Sequence, residues 1–121
     1  MKILFTNPPW WEAIDGRLRG GIRAGSRWPF THACASQPDA YRHGEYLPYP
    51  FFLGHAAAYA RQKLGCDVRM RDSIALRESY GRFLEAVLDY APDWVVLESA
   101  TPSWEHDKRI VGQLAKYLPR I

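Results

Sequence analysis

Three apolar segments alternate with longer segments of helical period along this chain. Lys2–Thr6 holds a continuous apolar run, which is typical of a strand covered on both faces, and the two prolines after Asn7 end it. In Asp67–Arg71 two apolar residues alternate with charged ones, which predicts a strand with one solvated face at a sheet edge. Trp94–Leu97 is apolar throughout, and we predict a central strand there.

Three helices are predicted, and one follows each of the three strands in the sequence. The first spans Pro50 to Leu64, since proline suits a first turn and Gly65 suits the position just past the end. One face of this helix carries Phe52, Ala56, Tyr59, Ala60 and Lys63, and the small run Ala56–Ala58 would let it sit close to a sheet. Ser79 is predicted to cap the second helix, which Pro92 closes, and Thr101 to cap the third.

This order of elements predicts an α/β fold with a parallel sheet and right-handed crossovers, covered by helices on both faces. Two central strands and one edge strand fit the spatial order 2-1-3, which is the first half of a flavodoxin-like sheet. Such sheets commonly have five strands, and a fourth would begin near Pro119–Ile121. The pattern therefore predicts a fragment of a longer protein, with a sheet edge through which copies could associate.

The segment from Asn7 to Tyr49 shows no convincing period. It is rich in glycine and proline, and connections of this length are usually functional loops or disordered segments. Its three tryptophans argue against simple disorder, because disordered segments are depleted in aromatic residues. Around Gly20–Gly25 the arginines at 17, 19, 23 and 27 make the loop basic; a solvated loop is the default interpretation, with anion binding or docking onto another domain as the alternative.

Composition places the chain among ordinary globular domains. It has 121 residues, of which 47% are hydrophobic, enough for one domain. The net charge of +3 is mild, so neither a nucleic-acid interface nor a membrane surface is indicated. No signal peptide or spanning segment is visible, so we expect a cytoplasmic protein in which Cys34 and Cys66 are free thiols.

Ligands of open α/β sheets bind at the carboxyl ends of the strands, where the strand order reverses. With the order 2-1-3, that point lies between Asn7–Trp10 and Glu98–Ser103. The first segment offers a rigid backbone and a flat apolar ring, and the second offers three hydroxyls and the free amides of a helix start. A flat ligand rimmed by amides would suit the pair. The alternative is that Trp10 only covers the core and Thr101 only caps the helix.

No catalytic centre is recognisable in this chain. Gly20–Gly25 does not join a strand directly to a helix, so it is neither a phosphate-binding loop nor a dinucleotide fingerprint. The four histidines lack metal-ligand spacing, and no nucleophile elbow or pair of carboxylates on a helix face is present. Any catalysis would then need residues outside this chain.

Five segments, in chain order, resemble the N-terminal cobalamin-binding, Rossmann-like domain of cobalamin-dependent radical S-adenosylmethionine enzymes. They cover nearly the whole chain and are Lys2–Trp10, Arg23–Pro29, Tyr49–Leu53, Arg71–Ala75 and Glu98–Ser103. The resemblance implies that residues 1–121 are a partial cobalamin-binding domain, with a corrinoid lying across the carboxyl edge of the sheet. The cofactor-binding residues that it implies are Pro8, Pro9, Trp10, Ser99, Thr101 and Ser103, with Arg27 and Tyr49 as further contacts.

Two cofactor motifs known from related proteins are missing from this chain. The Asp-x-His-x-x-Gly motif, whose histidine ligates cobalt in other cobalamin domains, is replaced by Asn7-Pro8-Pro9, so no metal-ligating residue is assigned; an approach of His32 or His43 to cobalt stays open. The cysteine motif for a 4Fe-4S cluster is absent too. Cluster, S-adenosylmethionine and radical chemistry, most commonly methyl transfer, are therefore expected in a downstream domain of the same polypeptide.

Two other classes share parts of this pattern. Half of a nucleotide-sugar glycosyltransferase would have the same parallel α/β order and a hydroxyl-rich loop. A receiver-like interaction domain would need an acidic cluster after the first strand, where Asn7-Pro8-Pro9 supplies none.

Overall fold

The computed structural model describes residues 1–14, 16–21 and 49–118. The strands are β1 (Lys2–Asn7), β2 (Trp11–Ile14), β3 (Arg17–Gly20), β4 (Asp67–Asp72) and β5 (Trp94–Leu97). The helices are α1 (Phe51–Leu64), α2 (Tyr80–Tyr90) and α3 (Trp104–Leu114), and a single 3₁₀ turn, Thr101–Ser103, precedes α3.

The main sheet is parallel and has the strand order β4-β1-β5, which confirms the predicted order 2-1-3. Within the described residues β5 pairs only with β1, as the order 2-1-3 of a partial sheet requires; the central position of the third strand refers to a longer sheet and stays a prediction. Its Trp94 and Val96 are 51% and 38% exposed. The strand is apolar throughout because helices cover one of its faces, while the other face lines an open apolar groove.

Helices cover both faces of the sheet, as predicted. Alternate residues of β1 point to opposite faces, so Leu4 joins one core and Ile3 and Phe5 join the other. The first core lies under α2 and α3 and contains Leu4, Phe83, Val87, Tyr90, Ile110, Leu114 and Leu118. The second lies under α1 and contains Ile3, Phe5, Leu53, Ala57, Ala60 and Val68. Burial on two sides explains the unbroken apolar run of β1.

Helix α1 buries a different stripe from the one that the sequence suggested. Its buried residues are Leu53, Ala57 and Ala60, at spacings of four and three. Phe52 and Tyr59 are 81% and 65% exposed. Small side chains at 57 and 60 allow close approach to the sheet, whereas the bulkier neighbouring face stays in solvent.

Two of the predicted helix boundaries are confirmed, the glycine that ends α1 and the serine that caps the start of α2. Gly65 has the left-handed conformation (φ 57°) that ends α1, and Pro50 precedes the helix rather than beginning it. Ser79 caps α2, with its hydroxyl accepting from the amide of Arg82 at 3.4 Å. Thr101 does not cap α3, because the 3₁₀ turn intervenes and α3 begins at Trp104.

An antiparallel hairpin, β2–β3, lies in the segment where no period was predicted. Its strands have four residues each, which is too short for a clear alternation. The available signal was the pair Asp15-Gly16, a common hairpin turn, in which Gly16 has φ 73°. No helix among residues 1–14, 16–21 and 49–118 is long and apolar enough to cross a membrane.

Candidate functional site

The ends of β1 and β5 lie side by side at the carboxyl edge of the sheet. Thr6 pairs with Leu97, so Asn7 and Glu98 follow at the next level on neighbouring strands. The loops that leave these two positions therefore start together, as the strand order required. They are the segments that carry most of the predicted site residues.

The loop after β5 is held by a buried carboxylate in the first turn of α3. The hydroxyls of Ser99 and Ser103 both donate to Oδ2 of Asp107, at 2.7 Å each. The amide of Ala100 donates to the Ser103 hydroxyl at 3.1 Å. Ser103 and Asp107 are buried, so this network fixes the loop and leaves the exposed Thr101 as its outward hydroxyl.

The loop after β1 is fixed to the same helix. Pro8 and Pro9 are buried, and the carbonyl of Pro9 lies 2.9 Å from Nε2 of His106. Because a carbonyl oxygen can only accept, Nε2 carries the proton in this contact. The imidazole also stacks on the indole of Trp10, with ring centroids 5.4 Å apart and planes 20° apart.

Trp10 is engaged within the protein and does not present an open ring. A Cβ at Gly21 would lie 2.4 Å from Cδ2 of Trp10, which places the glycine directly over the indole face. With His106 also stacked on it, this ring braces the loop. The flat surface expected from Trp10 is therefore covered by other residues of the protein. Trp10 and Thr101 do lie at the same end of the molecule, both beside the first turns of α3.

An exposed aromatic ring nearby, that of Trp104, was missed from the sequence. Trp104 is 55% exposed and begins α3 at the carboxyl edge. Together with Ser99, Ala100 and Thr101 it lines a cavity of about 400 Å³, which we call the edge groove. The ammonium of Lys108 lies 5.4 Å from the centre of its indole. The available signal was an aromatic residue three residues after the predicted helix cap, Thr101.

Two buried acceptors at this edge have no donor in the described structure. They are Oδ1 of Asn7 and Oε2 of Glu98. Nδ2 of Asn7 donates to Oδ1 of Asp72, 3.3 Å away on the other neighbouring strand. An unsatisfied buried acceptor costs about 1–3 kcal/mol, so a ligand that supplies N–H groups here would recover that energy.

The loop after β4 also leaves the carboxyl edge of the sheet, and side-chain contacts hold it in place. Arg71 forms a salt bridge with the buried Glu78, which also accepts from the Ser73 hydroxyl. Oδ1 of Asp72 accepts from the amide of Ile74 at 3.1 Å. These contacts fix the turn that follows β4.

Of the remaining predicted contacts, Tyr49 is not brought to the edge groove. Tyr49 is half-exposed, and its ring packs edge-on against Phe51 with centroids 4.8 Å apart. Its hydroxyl lies against Gly54 in the first turn of α1. Arg27, His32, His43 and Cys34 lie outside the described residues. Cys66 is a free thiol, as predicted.

Within the described ranges, no three histidine, cysteine or acidic side chains are grouped so as to hold a metal ion. No family model matches this chain, and comparison with the curated proteins and the solved structures gives no significant match either.

Proposed function

We propose that this chain binds cobalamin at the carboxyl edge of its sheet, as the N-terminal module of a cobalamin-dependent radical S-adenosylmethionine enzyme, most simply a methyltransferase. One observation carries the proposal: the edge groove lies just after the carboxyl end of β5, and the two buried orphaned acceptors follow at the ends of β1 and β5, the strands between which the strand order reverses. This is the location in which such sheets bind cofactors, and its chemistry suits a ligand rich in amides.

The residues present fit the group. The corrin ring carries primary amides, whose N–H groups could pair with Asn7 and Glu98, and whose oxygens could accept from Thr101. Trp104 offers the flat apolar contact that Trp10 does not. In the bound state cobalamin would supply a cobalt centre that carries a methyl group. The chain's own part is to hold and orient the cofactor, since its loops are tied down by Asp107 and Glu78.

The test is equilibrium dialysis of the purified protein against hydroxocobalamin, followed by visible absorption. We expect saturable binding, and Trp104→Ala should weaken it about tenfold, because an aromatic contact contributes about 0.5–1.5 kcal/mol beyond its buried area. Trp94→Ala is the matched control, since Trp94 is equally exposed but begins β5 at the opposite end of the sheet.

Absence of binding by folded protein would contradict the proposal, and so would equal weakening by both tryptophan variants. A parallel dialysis against uridine diphosphate glucose addresses the glycosyltransferase alternative. Binding of the nucleotide sugar, in place of cobalamin, would favour that class.

A further inference from the structure

A second cavity, of about 450 Å³, lies between the hairpin β2–β3 and the helices α2 and α3. It shares no lining residue with the edge groove. It is bounded by the start of β2, the start of α2 and the middle of α3. Its main lining residues are Trp11, Glu12, Tyr80, Arg109, Ile110 and Gln113. We call it the helix cleft. Its volume falls in the range of about 300–1,000 Å³ that small-molecule sites occupy.

The aromatic wall of the helix cleft is held in place before any ligand arrives. Nε1 of Trp11 donates to the carbonyl of Glu78 at 2.7 Å. Trp10, which also borders the cleft, is fixed by His106 and by Gly21. A ligand that stacks here would lose little binding energy to side-chain ordering, because the rings are already positioned.

The hydroxyl of Tyr80 gives the helix cleft an unsatisfied polar group. Among the described residues, it is the one buried tyrosine oxygen without a hydrogen-bond partner. Burial, and then the nearby Tyr117, raise the pKa of Tyr80 above 10.0, so the phenol keeps its proton and can donate it. A ligand acceptor at this position would satisfy the hydroxyl and offset its desolvation.

Arg109 adds a positive charge to the lining of the same cleft. It projects from α3 and pairs with no carboxylate in residues 1–14, 16–21 and 49–118. Its neighbour one turn along, Gln113, contributes an amide that can donate as well. Arg109, the Tyr80 hydroxyl and Gln113 therefore offer three kinds of donor to one anionic group, in a cleft that the Trp11 ring, Ile110 and the carboxylate of Glu12 also line.

From this arrangement we propose that the helix cleft binds a small planar aromatic anion, a flat ring that carries one carboxylate or phosphate group. The ring packs against Trp11, and the acidic group pairs with Arg109 and accepts from the Tyr80 hydroxyl. This site is separate from the proposed cobalamin site and does not depend on it.

Indole N–H resonances in ¹H–¹⁵N spectra of the full chain provide the test. The probes are adenosine monophosphate and 4-hydroxybenzoate, which distinguish phosphate from carboxylate, with adenosine and 4-hydroxybenzamide as their neutral counterparts. We expect at least one anion to shift the Trp10 and Trp11 signals, with Trp94 and Trp104 unmoved. The neutral counterparts should bind at least tenfold more weakly.

Two variants connect the binding to the proposed contacts. Arg109→Gln should raise the Kd about tenfold or more, since a charge-assisted hydrogen bond contributes about 1.5–3 kcal/mol. Arg82→Gln, which removes the same charge from the exposed side of α2, should leave the Kd unchanged. Tyr80→Phe should weaken binding several-fold without lowering the stability of the free protein, because the hydroxyl that it removes has no partner.

The proposal is overturned if neither anion shifts these signals at millimolar concentration, if all the indole signals shift alike, or if both arginine variants behave identically. Failure of cobalamin binding would leave the result intact, because the variants change neither Thr101 nor Trp104 and the Trp104 signal serves only as an unmoved reference.

Discussion

Tyr90 shows how one side chain connects two strands at the amino end of the sheet. Its hydroxyl lies 3.0 Å from the carbonyl of Asp67 and 3.5 Å from that of Ile3, so it donates between β4 and β1. The guanidinium of Arg69 lies 4.2 Å from the centre of its ring. Burial, and then Asp67, raise the pKa of Tyr90 above 10.0. The folded protein thus favours the protonated phenol more than the unfolded chain does.

This shift predicts a loss of stability in alkali. A folded-state pKa above the unfolded value means that the contribution is fully present below about pH 10 and is lost as pH rises through the folded pKa. Tyr90→Phe should lower the free energy of unfolding at pH 8 by about 1 kcal/mol and flatten its decline above pH 10. Urea unfolding across a pH series measures both. Tyr59→Phe, at an exposed position, should change neither; an unaltered alkaline slope in Tyr90→Phe would contradict the assignment.

At the scale of elements, the hairpin β2–β3 depends on its anchors. A two-stranded hairpin is marginally stable alone in water. Here the amide of Gly21 donates to the carbonyl of Trp10 at 2.9 Å, which extends the pairing by one step. Trp11 then holds the hairpin to the loop before α2, and Trp10 holds it to α3. The hairpin is therefore ordered by tryptophans that reach the helices.

Gly21→Ala tests this dependence. The added Cβ would lie within 2.4–2.7 Å of the middle of the Trp10 indole, so the ring must leave His106 or the hairpin must move. We expect a loss of about 1–3 kcal/mol in the free energy of unfolding and faster amide exchange in Trp11–Gly20. In Gly112→Ala the new Cβ has open space within helix α3, and we expect a small gain in stability. Similar effects of the two variants would argue against the packing role of Gly21.

For the whole molecule, the open side of the sheet is the feature with the largest consequence. The cavity beside β5 is about 350 Å³, and the apolar residues that line it are Met1, Ile3, Phe5, Ala60, Leu64, Trp94 and Val96. Strand β5 also has one unpaired edge in the described sheet. An apolar face beside an unpaired strand favours association with another copy through that edge.

Self-association should accordingly depend on β5. We expect sedimentation velocity to show dimers that increase with protein concentration, and Val96→Lys to return the protein to monomer, because a charge at the edge opposes pairing. Leu88→Lys is the matched control: Leu88 lies on α2 and is 38% exposed, as Val96 is. A monomer at every concentration, or equal effects of both lysines, would count against association through this edge.

The sequence by itself determined the strands of the main sheet, their order and the existence of the three helices, whereas the hairpin β2–β3 was not predicted. The continuous apolar run of Lys2–Thr6, the serine at the start of α2 and the glycine after α1 each specify conformation through near neighbours, so β1, α1, α2, β4 and β5 were predicted within a residue or two. The spatial order β4-β1-β5 also followed, because right-handed crossovers leave few arrangements of so few strands. These are consequences of backbone geometry and of short-range patterning.

Tertiary structure alone decided how the side chains are used. Whether Trp10 is an open surface or a brace depends on Gly21 and His106, and the latter lies about 100 residues away in the chain. Likewise, whether Trp104 packs in the core or stays in solvent depends on how α3 meets the sheet, and its side chain is 55% exposed. A ring or a hydroxyl has the same chemistry whether it is packed or exposed. Its role depends on which residues, far away in the sequence, contact it in the folded protein, and the pattern of neighbouring residues does not contain that information.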